Sequence, residues 1–407
     1  MNGESLQQEL DEIESQGLRR SWRGVEEIQE GRIRVNGRWL IQMSSNSYLG
    51  FHLHPKVIAA AQEATARYGT GSGSARLIGG TFGIHEELEA ALAAFKQAQA
   101  ALVFPTGYMA NLGIITTLVG PQDLVIGDHL NHASLVDACR LSHATFRVYP
   151  HRDVERLEKA LKHRSGRYRR VLVVTEGLFS MDGDVAALPQ IVEVTRRYGA
   201  WLLVDDAHAT GVLGSHGRGS LEHFGISTQG ILQMGTLSKA LGSLGGYLAG
   251  PRVAIELLKN KARSFIYTTA LAPGCAAAAL KALSLIQEEP MWHRRLLKNV
   301  KIWTAGLKEL GYALISAESP IVPIRVGSNE ETLELAKELF EAGVYAPGIR
   351  PPTVPAGSAR IRTSVTALHT QADLEVALEA FESVALALRQ AQGERLSSSV
   401  HGEPVEP

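Results

Sequence analysis

Short, uninterrupted apolar runs separated by helical patterns constrain this chain more than any other feature. ALVF (101–104), DLVIG (123–127), VLVVTEG (171–177), AWLLVDD (200–206) and ILQMGT (231–236) are each one strand long, with amphipathic segments between them. A strand with one wet face alternates polar with apolar residues. Continuous Val/Ile/Leu means that both faces are covered, which predicts a mostly parallel sheet between helices. In such sheets ligands bind beyond the carboxyl ends of the strands. The residues after each run are therefore the place to look for chemistry.

The chain has 407 residues, enough for a large core and a smaller second domain. Leu6, Leu10 and Ile13 recur at helical spacing, and Asn36-Gly37 between IRV and RWLIQM predicts a tight hairpin. After about residue 290 the pattern changes. IVPIRV (321–326) and ARIRTSV (359–365) flank a helical stretch at 330–342, predicting a smaller α/β domain with an antiparallel sheet, and 371–389 predicts a terminal helix. The expected division is an N-terminal helix and hairpin segment (1–54), a large ligand-binding domain (55–290), a small C-terminal domain (291–390) and a tail (391–407). That tail is polar, aperiodic and Pro-containing, so disorder is expected there.

Composition excludes several classes. A formal net charge of −1 leaves no electrostatic footprint for nucleic acid or an anionic membrane. The N-terminus is acidic and lacks a signal-type apolar core, and the Ala-rich run at 270–280 is broken by Pro273 and Lys281. A soluble, cytoplasmic protein is expected. Cys139 and Cys275 form no metal-ligand spacing and read as reduced thiols, and no metal site is expected.

The central motif is GTLSKALGSLGGYLAG (235–250), where Lys239 follows a strand end between hydroxyl residues and glycines. Small residues allow close backbone approach to a bulky anionic ligand, and hydroxyls can donate to phosphate. A loop lysine is more often a solvated charge. A second motif shifts that balance: VDDAHATG (204–211) puts Asp205 at a strand end and His208 three residues on. A pyridinium ring needs a carboxylate beside its nitrogen to act as an electron sink. The bland alternative is an aspartate that caps a helix beside a surface histidine. FPTGYMAN (104–111) is a strand, a turn and a helix start, which presents the N–H groups of Thr106, Gly107 and Tyr108 to an anion. DHLNHASL (128–135) offers His132 as a ring that could stack on a cofactor, and TEGLFSMDGD (175–184) offers Glu176 and Ser180.

Taken in order, these five pieces resemble the α-oxoamine synthases, fold-type-I pyridoxal-phosphate (PLP) enzymes. SSNSYLGFHLHP (44–55), GSGSARLIGGTFGIHEELE (71–89), FIYTTALAP (265–273) and GIRPPTVPAGSARIRTSVTALH (348–369) extend the resemblance over residues 15–385. It implies an α/β fold with a mostly parallel central sheet and a smaller C-terminal α/β domain. Lys239 would hold PLP as a Schiff base and move the substrate α-proton. Asp205 would pair with the ring nitrogen, His208 with the phenolic oxygen, and His132 would stack on the ring. Thr106, Gly107, Tyr108, Ser180 and Thr236 would hold the cofactor. Thr268 and Thr269 would reach the phosphate of a neighbouring subunit, implying a homodimer with shared sites. Arg362 would bind the amino-acid carboxylate, with Asn46 near it.

Members of the family condense an amino acid with an acyl thioester, carried by coenzyme A or a carrier protein, and release carbon dioxide. IRPPTVPAG (349–357) resembles members that join alanine to a pimeloyl chain, in which positions matching Arg19, Arg350 and Thr353 contribute to substrate binding. The glycine-rich segments also resemble members of broad specificity and members that use glycine with acetyl-CoA. An aminotransferase of the same fold is the alternative from another class.

Overall fold

The computed structural model of the protein describes residues 3–163 and 166–399. Two compact units emerge: Asn46–Leu297 with 318–320, and Met1–Ser45 with 298–317 and 321–407. The first 45 residues thus group with the C-terminal part of the chain and do not stand alone.

The larger unit is built on a seven-stranded sheet. In space its strands run Ala100–Phe104, Gly246–Gly250, Leu232–Thr236, Trp201–Asp205, Val171–Glu176, Leu124–Asp128 and Thr145–Tyr149. Only Gly246–Gly250 is antiparallel to its neighbours. All five runs singled out above are strands of this sheet. Their continuous hydrophobicity has the predicted cause. Leu203, Val125 and Val174 join a core on one face with Ile114, Leu118 and Leu258, while Leu202, Val204, Ile126 and Val173 join a core on the other with Leu157 and Ile191. Alternate residues of a strand point to opposite faces, and here both faces are dry. Two strands escape the apolar-run criterion, Thr145–Tyr149 at the edge and the glycine-rich Gly246–Gly250.

In the smaller unit, Arg32–Val35 and Arg38–Gln42 form the expected hairpin. Asn36 (φ 52) and Gly37 (φ 73) take the positive φ that its two-residue turn requires. The second strand continues into a parallel pairing of Ile41 with Val344, which ties the N-terminal segment to the C-terminal one. Ile321–Gly327 pairs antiparallel with Ala359–Ser364, which pairs in turn with Gly348–Ile349. The helix Asn329–Glu341 begins at Ser328, whose hydroxyl accepts from Glu331 N–H at 3.1 Å. The first helix, Gly3–Ser15, carries Leu6, Leu10 and Ile13 as expected. The last spans Gln371–Ser399, past the 389 at which periodicity ends it, and residues 400–407 of the expected tail lie outside the described residues. Among the described residues, no helix is long and apolar enough to cross a membrane, and no cluster of His, Cys, Asp or Glu could hold a metal ion.

Candidate active site

Five strands running in the same sense end at Phe104, Asp128, Glu176, Asp205 and Thr236, and the side chains beyond them converge on a cavity of about 280 Å³. Thr106, Gly107, Tyr108, His132, Asp205, His208, Thr236 and Lys239 all line it. So do Asn111, Ser134 and Glu176. The first two were not singled out in the sequence.

Lys239 lies on the loop after Leu232–Thr236. That loop folds back on itself: Gly242 N–H donates to Lys239 O (2.9 Å), Ser243 N–H to Leu237 O (2.9 Å) and Leu237 N–H to Gly245 O (2.9 Å). The Thr236 hydroxyl, 2.7 Å from Gly245 O and 2.8 Å from Ser238 Oγ, pins its base. The lysine is therefore carried by a closed loop, half-buried at the mouth of the sheet.

Opposite it, Thr106 caps the helix Gly107–Leu118, its hydroxyl accepting from Met109 N–H at 3.1 Å. A helix start leaves N–H groups without internal partners and carries positive potential. Glycine is required here by close approach. A Cβ on Gly246 would fall 2.6 Å from Gly107 Cα, and one on Gly107 would fall 3.2 Å from Met234 Cε. The cradle admits backbone alone. Tyr108 is exposed and its hydroxyl donates to Asp137, a contact that raises the phenol pKa.

Asp205 ends its strand buried in the cavity wall, with Oδ1 accepting from Ala207 N–H and Oδ2 from Asn111 Nδ2, both at 2.9 Å. The second amide hydrogen of Asn111 reaches Ser134 Oγ at 2.9 Å. Ser134 in turn lies 2.8 Å from His132 Nδ1, which also accepts from Ser134 N–H at 3.2 Å. The chain Asp205–Asn111–Ser134–His132 thus presents Nδ1 as an acceptor, so the imidazole is neutral with its proton on Nε2. Burial lowers the His132 pKa, with the charge of Asp205 working against it.

Glu176 is buried and accepts His132 N–H at 2.7 Å and Ser180 N–H at 3.2 Å. Burial, then the charge of Asp205, pushes its pKa up to about 8. Ser180 therefore reaches the site through Glu176 and does not line the cavity. His208 Nδ1 lies 2.7 Å from the Tyr48 hydroxyl, which donates to Asn46 Oδ1 at 3.3 Å. Asn46 is thus tied to the site through Tyr48 and His208. Thr268 and Thr269 follow the short helix Arg263–Ile266 outside the cavity lining, and Thr269 is exposed.

The predicted acyl-chain residues fall in the smaller unit. Arg19, Arg350 and Thr353 line one hollow of about 460 Å³ there. Arg350 donates to Gly17 O, and Arg20, missed in the sequence, donates to Thr353 Oγ1 at 3.2 Å. Arg362 is buried on the strand Ala359–Ser364, 2.9 Å from Ser364 Oγ.

The cavity suits PLP on its own evidence. It joins an amine, a buried carboxylate and a helix-start cradle that a single Cβ would fill. Asn111 Oδ1 is buried in its wall with no hydrogen-bond partner among the described residues.

Comparisons with known proteins agree. The model of the family "Aminotransferase class I and II" matches residues 39–381. An 8-amino-7-oxononanoate synthase from Symbiobacterium thermophilum is 48% identical over 379 residues, covering 93% of this chain and 97% of the relative. The 8-amino-7-oxononanoate synthase 1 of Bacillus subtilis is 45% identical over 386 residues, covering 95% and 98%. A serine palmitoyltransferase from S. paucimobilis, solved with PLP and myriocin bound, superposes with a TM-score of 0.89 at 34% identity, covering 94% of this chain and 97% of that one. With the cavity's residues and these likenesses together, the chain belongs to the aminotransferase class I and II family and, within it, to the PLP-dependent α-oxoamine synthases.

Proposed function

We propose that the chain condenses L-alanine with a pimeloyl thioester to give 8-amino-7-oxononanoate, carbon dioxide and a free thiol, a step of biotin biosynthesis. One observation carries this reading. Lys239 and Asp205 share a cavity on a chain 48% identical, along almost its whole length, to an 8-amino-7-oxononanoate synthase.

When bound, PLP supplies an electron sink for the negative charge that develops on the amino-acid α-carbon. The chain's residues set up and finish each proton movement. Lys239 would hold the cofactor through Nζ, and its free amine would take the α-proton. Asp205 keeps a proton at the ring nitrogen, with Asn111 fixing its carboxylate. His208, held by Tyr48, would pair with the phenolic oxygen. The neutral His132 would stack on the ring. Gly107 and Tyr108 N–H groups, with Thr236, hold the phosphate. Lys239 finally returns a proton to the product carbon.

Arg362 binds the amino-acid carboxylate, for which a planar two-pronged donor is suited. Arg19, Arg350 and Thr353 receive the carboxylate end of the acyl chain. The site is completed in a homodimer by Thr268 and Thr269 of the neighbouring subunit. Supporting this is the exposure of Thr269 away from its own cavity.

Product analysis with alanine and glycine against pimeloyl and acetyl thioesters, each on coenzyme A and on a carrier protein, tests the reaction. 8-Amino-7-oxononanoate should dominate, and turnover only with glycine and acetyl-CoA would overturn the substrate assignment. Borohydride reduction of the yellow holoenzyme should fix the cofactor to Lys239, and a label on another lysine would overturn the site.

A further inference from the structure

His151 follows the edge strand and has no part in the proton movements above. It sits between two carboxylates, with Nδ1 3.0 Å from Asp128 Oδ1 and Nε2 2.9 Å from Asp184 Oδ2. An ionised carboxylate can only accept, and a neutral imidazole has one N–H. Both contacts are hydrogen bonds only when the ring carries two protons. Burial alone would lower its pKa, but the bonds to Asp128 and Asp184 override burial and raise it to about 9. The other groups around it are Arg152, whose Nη1 is 3.3 Å from the same Asp184 oxygen, Tyr149 beside Asp128, and the Phe179 ring, edge-on at 4.5 Å.

Each carboxylate belongs to a loop that meets the cavity wall at Glu176. Asp128 accepts Leu130 N–H (2.9 Å) and Arg152 N–H (3.1 Å), shaping the turn that delivers Asn131 and His132. Asn131 then grips the next strand through Val174 O (2.9 Å) and Glu176 N–H (3.2 Å). Asp184 closes the other loop, its carbonyl accepting Phe179 N–H at 3.0 Å, next to Ser180. Both loops end on Glu176, which accepts from His132 and from Ser180.

We propose that His151 is a positioning residue, an imidazolium bridge that joins the His132 loop to the Ser180 loop and so sets the plane of the His132 ring against the cofactor. This rests on the reading of the cavity as a PLP site. Visible circular dichroism of the holoenzyme, normalised to cofactor absorbance, reports how rigidly the chain orients the bound ring. His151→Gln should lose at least about half of that signal and about tenfold in kcat. His151→Arg, which keeps a charge and can donate to both carboxylates, should retain most of the signal and hold it at alkaline pH. In the unmodified enzyme the signal should fall with the same midpoint, about 9, at which the His151 ring titrates by NMR. A Gln variant with unchanged signal across that range, or an unmodified enzyme whose signal ignores the His151 titration, would overturn the proposal. If the Gln variant does not fold, the titration of the unmodified enzyme decides alone. Absence of any visible band in that enzyme would instead sink the PLP reading beneath it.

Discussion

Lys96 Nζ lies 2.9 Å from Asp206 Oδ2, while Asp205, one residue earlier, turns its carboxylate into the cavity. Neighbouring aspartates at one strand end therefore have different surroundings. Burial works against the Lys96 ammonium, and Asp206 outweighs it, holding the pKa above that of ordinary lysine. Asp206→Asn strands a buried charge and should destabilise the protein by about 3–5 kcal/mol in urea unfolding, with turnover kept in the folded fraction. Asp205→Asn should leave stability nearly unchanged and cost several orders of magnitude in turnover, each tenfold being about 1.4 kcal/mol of barrier. Near-normal turnover in Asp205→Asn would remove it from the ring nitrogen.

Asn111 spends both amide hydrogens on the site, one on Asp205 and one on Ser134. Asn111→Ala should fold, since it removes little apolar contact, but it frees the Asp205 carboxylate to rotate. A hydrogen bond to a charged group contributes about 1.5–3 kcal/mol, so cofactor affinity or kcat should drop about tenfold to a hundredfold. A variant with unchanged values in both measurements would show that Asp205 is held without it.

What could be read from the sequence follows physical lines. The parallel strands were legible because two dry faces force continuous apolar runs, and the hairpin because Asn36-Gly37 suits positive φ. Lys239, Asp205 and His132 were legible because each follows such a run. Gly246–Gly250 was hidden because its glycine serves close backbone approach to Gly107, at the expense of β-propensity. Thr145–Tyr149 was hidden because an edge strand keeps an exposed Arg147 and Val148. Lys96 reads as a solvated charge in FKQAQ, and only the chain's return 110 residues later supplies Asp206. Asn111 reads as one polar residue on a helix; what gives it a role is the neighbouring strand end.

Cofactor retention should depend on a second subunit. Neither a Lys239→Ala protein nor a Thr268→Ala/Thr269→Ala protein should turn over well alone. In mixed dimers, one of the two sites combines an intact Lys239 with intact threonines, and activity should return on mixing. Failure of mixing to restore any turnover, with subunit exchange verified, or full activity of a monomer at high dilution, would contradict shared sites.

The proposed function assigns substrate choice to the arginines of the smaller unit. Arg350 shares its hollow with Arg19, Arg20, Arg23 and Thr353, and among the described residues no Asp or Glu lines it, so a carboxylate entering it meets an excess of cationic groups, even with Arg19 paired to Glu14 and Arg350 to Gly17 O. Only the pimeloyl chain ends in a carboxylate. Alanine with a pimeloyl thioester should therefore exceed glycine with acetyl-CoA in kcat/KM, and Arg350→Ala should weaken the pimeloyl reaction selectively. At about 1.5–3 kcal/mol for a charged hydrogen bond, the selective loss should be about tenfold to a hundredfold, read as the ratio of kcat/KM for the two acyl donors. Arg362→Ala should behave differently, since every amino-acid substrate brings its own carboxylate, and both reactions should fall together. If Arg350→Ala lowers both donors equally, the hollow does not read the acyl end. If glycine with acetyl-CoA is also the better pair, the reaction is the short-chain one.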